Sequence, residues 1–392
     1  MSGPLKGIKV LDLSRILAGP WASQVLADYG AEVWKIERPN KGDDTRHWGP
    51  PFITSSDGKV SDISAYFLCA NRGKKSVVVD ITTTEGQAQI HALVKHSDIV
   101  LENYKVGGLT KYHLDYASLS KIKPDLVYCS ITGFGQTGPK AKQAGYDAMI
   151  QASAGLMSIT GESSGAPQKV GVAACDLMTG MYAVSGILAA LYHRSQTGQG
   201  QHIDLALFDT QVAWLANQAS NYLVSGDIPT RLGTAHPNIV PYQAMPVKDG
   251  YIMLAVGNDS QFEKCCRVLG CAELAEKPEF STNAARVAQR DTLIPILSGF
   301  FATQTMDYWL TKLASEQVPC GPINTVDRVF ADKQLKHREM QFSLQHPDLG
   351  DLPQVANPVK FSQTPIVYQS APPSIGQDTE QVLDEYGKSK EP

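Results

Sequence analysis

The 392-residue sequence predicts an α/β protein with helices packed on both faces of a parallel sheet. Three observations lead there. Short runs rich in β-branched residues recur from the start of the chain, and the segments between them carry apolar residues at helical spacing. The ends of those runs also hold cationic, amide and aromatic residues, where an open parallel sheet binds its ligands.

Taken in order, the strands are IKVLDLS (8 to 14), AEVWKIE (31 to 37), SVVVDI (76 to 81), DIVLEN (98 to 103) and DLVYCSI (125 to 131). Between them WASQVLADYG, TEGQAQIHALVKHS and LTKYHLDYASLSKI read as helices. A long apolar helix follows Asp176 and ends in the turn-rich TGQG (197 to 200). Next come a strand over QHIDLALFD (201 to 209), a polar stretch near 225 to 238, a smaller αβ region with the strand YIMLAVG (251 to 257), and a strand-like QVANPVKFS (354 to 362). The strand ends present Ser14 and Arg15, Glu37 and Arg38, Asn103 and Tyr104, and Thr132 and Gly133. Two arginines with amide and aromatic groups suit a ligand that carries phosphates and a flat ring.

Composition excludes several classes. With 35 basic and 39 acidic residues, a net charge of −4 and no basic tract, the chain has no nucleic-acid footprint. Its length suggests two to three domains. No apolar run approaches the roughly 20 residues of a membrane span, and no signal peptide precedes the first strand, so the expected setting is the cytoplasm without a membrane partner. The seven cysteines show no CxxC spacing, and Cys265, Cys266 and Cys271 are expected to be structural, with no metal implied.

Three motifs imitate chemistry. GFGQTG (133 to 138) fits G-x-G-x-x-G, yet Pro139 and Lys140 follow where a helix should open, so dinucleotide binding is not expected. The same Pro139 stands where a P-loop needs lysine. GESSG (161 to 165) matches G-x-S-x-G but lacks the strand before and the helix after that a nucleophile elbow needs. His236, in GTAHPN, is either an ordinary loop histidine or a substrate contact.

Asp176 leaves two readings open, because an acid at the start of a helix can cap it or can attack an ester. In either role the free N–H groups of the first turn would favour its charge by roughly 0.3 to 1 kcal/mol.

The motifs LDLSRILAGPWASQVLADYGAEVWKIERP, VLENYKVGGL, CSITGFGQTGP, AGYDA, DLMTGMYAVSGILAAL and VPCGPINTV, in this order, resemble those of the family III CoA-transferases. GDDTRHWGPPF (42 to 52) and GTAHPNIVPYQA (233 to 244) look most like the branch that moves CoA between succinate, glutarate or similar dicarboxylates. The resemblance implies a large Rossmann-like domain over 1 to 200 and 325 to 392, a linker over 201 to 224 and a small α/β domain over 225 to 324. It further implies a ring-shaped chain in an interlocked homodimer. Asp176 falls on the aspartate of the family's DLxTG motif, the covalent nucleophile. Leu17, Ala18, Arg38, Asn103, Tyr104, Lys111, Tyr146 and Asp147 fall where relatives hold CoA, and Arg15 joins them from its strand end. Arg46 and His236 are the implied substrate contacts. No tightly bound cofactor is implied, and CoA enters as acyl-CoA substrate beside a free carboxylic acid.

Two departures narrow the choice. Leu17 and RLGTAHPN replace the glutamine and glycine run of the formyl-CoA enzymes. Gly145, Tyr146 and Asp147 replace the GHD of the α-methylacyl-CoA racemases, and a phenol of ordinary pKa near ~10 is a poor base at neutral pH. A racemase and a non-catalytic CoA-binding protein are the alternatives to transfer. The family mechanism passes through a mixed anhydride and an aspartyl-CoA thioester. Its oxyanion donors are sought in 133 to 138 and 231 to 235.

Overall fold

A computed structural model describes residues 3–55 and 58–387; the outermost parts of the expected large domain, 1–2 and 388–392, lie outside the described residues. The chain divides into two compact units. One runs through Gly155, resumes over Val170–Leu215 and again from Lys333; the other comprises Leu156–Lys169 and Ala216–Asp332.

The first unit is organised by six parallel strands: β1 (Lys9–Asp12), β2 (Glu32–Glu37), β3 (Lys74–Val78), β4 (Ile99–Glu102), β5 (Val127–Thr132) and β6 (Gln201–Ala206). Their order is β3-β2-β1-β4-β5-β6, that of a doubly wound Rossmann-type sheet, and every pairing is parallel. Strand order reverses between β1 and β4. Crossovers include α1 (Ala18–Asp28) and α2 (Thr84–His96), the latter capped by Thr83, whose hydroxyl accepts the Gly86 N–H. Both faces of the sheet are apolar: Val10, Val33, Ile99 and Leu101 pack on one side, Leu11, Trp34, Val77 and Val100 on the other. This explains why the strands read as nearly continuous hydrophobic runs.

Two helices carry the site. α3 (Asp147–Ser153) precedes α4 (Ala174–Thr197), and α5 (Leu207–Ala213) follows β6. By length and composition α4 is apolar enough to cross a membrane, but its Ala183, Val184, Ile187 and Ala190 pack into the core against the sheet. Gly180 makes close packing of α1 on α4 possible: a Cβ there would lie 2.8 Å from the Ala18 carbonyl oxygen and 3.1 Å from Trp21.

The second unit has a three-stranded antiparallel sheet, formed by β7 (Tyr242–Val247), β8 (Gly250–Ala255) and β9 (Cys320–Pro322), with β8 central. Helices over Asp259–Leu269, Arg290–Phe301 and Met306–Ser315 close a core containing Ile252, Leu254, Phe262, Leu297 and Trp309. Cys265, Cys266 and Cys271 are buried in it.

Several boundaries differ from expectation. The strand expected over 201–209 ends at Ala206, and Leu207 opens a helix, so the expected linker over 201–224 supplies the edge strand of the large sheet and α5. The segment 109–122 is broken by His113, at φ 55, into a short turn and a helix over Tyr116–Ile122. The strand expected over 354–362 stops at Val355 within the hairpin β10 (Gln341–His346) and β11 (Gly350–Val355).

Candidate active site

At the reversal of strand order, the loop after β1 meets the end of β4. The Arg15 N–H donates to Asn103 Oδ1 at 2.9 Å and Asn103 Nδ2 donates back to the Arg15 carbonyl at 2.7 Å, so one amide fixes both backbone groups. The Arg15 guanidinium lies over the Tyr104 ring at 5.4 Å and pairs with Asp44 at 3.1 Å, while Arg38 meets the other Asp44 oxygen at 2.5 Å. Arg15, Arg38, Asn103 and Tyr104 thus come together. Both guanidinium groups stay partly exposed, the condition for a phosphate to compete for them. Glu102 accepts the Tyr104 N–H at 2.7 Å, and burial pushes its carboxyl up to about 7.

Beneath that loop lies a buried ionic network. Asp12 accepts from the Ser14 N–H and from the Ser14 and Ser23 hydroxyls, and Lys74 donates to Pro20 O and Asn71 Oδ1. Asp43 takes the Lys35 ammonium at 2.8 Å, the Thr45 N–H and the Ile16 N–H. Burial works against its charge, yet Lys35 and Thr45 hold Asp43 down at about 2. Ile16 needs this support. It sits at φ 74, costly for a β-branched residue by about 1–3 kcal/mol unless its surroundings impose it.

Asp176 is half-buried in the first turn of α4, three residues beyond the N-cap Ala173, which contributes no side-chain cap. The cap comes from Asp147, whose Oδ1 accepts the Cys175 N–H at 2.9 Å and the Asp176 N–H at 3.3 Å. Its Oδ2 accepts from Gln151 Nε2 at 2.7 Å, and Gln151 Oε1 accepts the Val170 N–H. Gly133 and Gly145 let Asp147 reach this position: a Cβ on Gly133 would lie 2.6 Å from the Gly145 nitrogen, so β5 and the entry to α3 meet backbone to backbone.

This reverses an expectation. Asp176 does not cap its helix, and the helix does not keep it charged. Burial, and next the negative charge of Asp147, push its carboxyl up to about 7. A helix-terminus effect of roughly 0.3 to 1 kcal/mol is too small to offset that rise, and the N–H groups that would produce it point at Asp147. Among the described residues no group donates a hydrogen bond to the Asp176 carboxylate. Tyr66 lies within electrostatic reach of it, its phenol pushed up to about 12 by burial and by the charge of Asp176, so it keeps its proton at neutral pH.

The other expected site residues separate. Leu17 and Ala18 are buried, leaving only their backbone for a ligand. Lys111 is exposed on the turn Thr110–Tyr112 with its ammonium over the Tyr112 ring, and Tyr146 is 62% exposed at the start of α3. Asp147 is committed to the helix cap. Arg46 is 1% exposed, makes a two-pronged pair with Glu37 at 2.8 and 2.6 Å, donates to Pro373 O and stacks on Phe67, while its Nη1 is buried without a partner among the described residues, so these contacts commit it to the fold. His236 belongs to the second unit, where its Nδ1 accepts the Asn238 N–H. Of the segments considered for oxyanion donors, the Gly135, Gln136 and Gly233 N–H groups already serve Thr132, Asp204 and Gly161.

Sequence reasoning missed Asp44, Gln151 and Tyr66. The alternation of Arg38, Asp43, Asp44 and Arg46 was a signal for the first. Nothing local marks the other two.

The sequence model of CoA-transferase family III matches residues 5–379. A succinate–glutarate CoA-transferase of Agrobacterium fabrum is 50% identical over 97% of this chain and 95% of its own. A succinyl-CoA:glutarate CoA-transferase of Homo sapiens is 44% identical over 97% and 86%. The crystal structure of a CaiB/BaiF family protein from Brucella suis superposes with a TM-score of 0.87 at 50% identity, covering 98% of this chain and all of that one.

Proposed function

Because the chain belongs to CoA-transferase family III, we propose that it moves CoA from succinyl-CoA to glutarate or a similar dicarboxylate, with Asp176 as the covalent nucleophile. One observation carries the assignment to Asp176: a half-buried carboxylate with no donor among the described residues, on a helix start that another side chain caps.

Asp176 attacks the thioester carbonyl of the donor. The C–S bond breaks, CoA leaves as thiolate, and the acyl group remains on Asp176 as a mixed anhydride. The thiolate returns to the aspartyl carbonyl, expelling the donor acid and leaving an aspartyl-CoA thioester. The acceptor carboxylate attacks that thioester, giving a second anhydride and free thiolate. Thiolate attack on the acceptor carbonyl then yields the new acyl-CoA and regenerates Asp176. One thioester replaces another, so no ATP is consumed.

Arg15 and Arg38 are assigned to the CoA phosphates, which would displace Asp44, and Tyr104 to the adenine end of the site. Their convergence at the strand-order reversal supports this. The protein is further proposed to work in the cytoplasm as an interlocked homodimer of ring-shaped chains. Exposed Leu223, Val224 and Ile228, at 80, 89 and 81%, support burial by a second copy, and seven free cysteines suit a reducing compartment.

Incubation with succinyl-CoA should leave a mass adduct on the Asp176 peptide. The Asp176→Ala variant should bind CoA without transferring it. Full activity in that variant would overturn the assignment.

A further inference from the structure

We infer that Asp147 is a positioning residue for the transfer reaction, holding the first turn of α4 that carries Asp176, and is not a contact of CoA. The inference rests on Asp176 being the nucleophile.

Both oxygens of the Asp147 carboxylate are engaged. Asp147 Oδ1 receives two consecutive N–H groups, those of Cys175 and Asp176 itself, from the turn that carries the nucleophile. Oδ2 receives the Gln151 amide, and the fully buried Gln151 is tied in turn to the Val170 backbone just before that turn. The carboxylate therefore spans α3, α4 and the segment leading into α4. These contacts join residues 28 and 29 positions apart, so they fix tertiary placement and not only local helix structure.

A ligand at the same carboxylate would have to displace the backbone donors of a helix start, leaving them without their cap. The phosphates of CoA would gain nothing from an acid, and the neutral amides and hydroxyl of its pantetheine arm would have to displace the N–H groups already bound there. Among the described residues, Asp147 also bears the one negative charge that acts on Asp176. The remaining titratable neighbours are Cys175 on the same helix and Tyr66 on the helix Ala65–Leu68; burial keeps both neutral through the physiological range. α1 contributes Ala18 and Trp21 at the Gly180 contact, and α5 contributes the Leu207 carbonyl, which accepts from the Cys175 thiol at 3.3 Å. Neither brings a charge.

The pair of variants Asp147→Asn and Asp147→Ala separates the two effects. Asparagine keeps an acceptor for the helix N–H groups and removes the charge, so the acid limb of kcat/KM should move to lower pH by roughly one unit with KM for acyl-CoA unchanged. Alanine removes both, and kcat should fall about tenfold or more, the loss of one cap, again with KM held within about twofold. Should the alanine protein not fold, Gln151→Leu, which unties Oδ2, should slow adduct formation on Asp176 several-fold without moving KM. An unshifted acid limb in Asp147→Asn, a raised KM for acyl-CoA in either Asp147 variant, or an unchanged rate in Gln151→Leu would overturn the inference. Those results leave the nucleophile assignment standing as long as Asp176→Ala is inactive; an active Asp176→Ala removes the premise instead.

Discussion

Replacing Asp176 by asparagine should abolish transfer and stabilise the fold, by an amount that depends on pH. Burial and the charge of Asp147 raise the Asp176 carboxyl from its ordinary 3.8 to about 7. The unfolded chain releases that proton near pH 4, whereas the folded chain keeps it until about pH 7. Between those values the native state binds more protons than the unfolded state, so this group's contribution is fully present below about pH 4 and is lost as pH rises through about 7. At about 1.4 kcal/mol per pH unit, ionised Asp176 costs the fold up to about 4 kcal/mol at pH 8, against about 1.7 kcal/mol at pH 5. These are ceilings, since solvent reaches a half-buried carboxylate. Asparagine does not titrate, so the variant should gain most at pH 8 and least at pH 5, with roughly 2.5 kcal/mol between the two as an upper figure. Urea unfolding of both proteins, followed by tryptophan fluorescence at matched concentration, measures the difference. An advantage absent at pH 8, or equal at pH 5 and pH 8, would refute the account of how the site charges Asp176.

Further outcomes follow from the same geometry. Arg46→Met takes the guanidinium from buried Glu37, leaving it the Asp43 N–H and the Ser76 hydroxyl, and should cost about 3–5 kcal/mol in urea unfolding, while KM for the acceptor acid in the folded enzyme stays unchanged; a KM effect without instability would place Arg46 at the substrate site. Arg38→Ala should raise KM for acyl-CoA about tenfold, and this penalty should shrink as salt is added; steady-state kinetics at two ionic strengths would show it. Gly180→Ala should push α1 from α4 and lower stability by about 1–3 kcal/mol, with thermal unfolding as the readout.

The strands and their order of appearance were legible because a sheet covered on both faces writes itself as β-branched runs, and helices keep their own period. Boundaries failed where backbone conformation changes without a change of polarity. Leu205, Leu207 and Phe208 are all apolar, yet the strand ends at Ala206 and a helix takes over. At the site, Arg15, Arg38, Asn103 and Tyr104 could be read from their strand ends, because the sheet alone brings those ends together. Arg46 could not. It sits in the same cationic stretch as Arg38, and only tertiary structure shows that Glu37 claims it. The role of Asp147 was hidden for the same reason: its partners lie on another helix, nearly thirty residues on.

The placement of Asp176, the proposed nucleophile, answers a conflict between two demands on a carboxylate in that role. An ordinary aspartate, fully ionised at neutral pH, is a weak base and a weak nucleophile. A carboxyl buried without relief would be strong when ionised and almost never ionised. A value of about 7 lies between these limits, where ionised fraction and basicity are balanced. Had Asp176 capped its own helix, the first-turn N–H groups would have stabilised its charge and weakened its attack. Giving those groups to Asp147 leaves Asp176 without a donor among the described residues and sets a second negative charge beside it. In the proposed mechanism, acylation of Asp176 removes its own charge and relieves the repulsion from Asp147. On that proposal the charge that, after burial, raises the resting carboxyl also favours the acylated state over the free carboxylate, in an exchange of one thioester for another that has little other driving force.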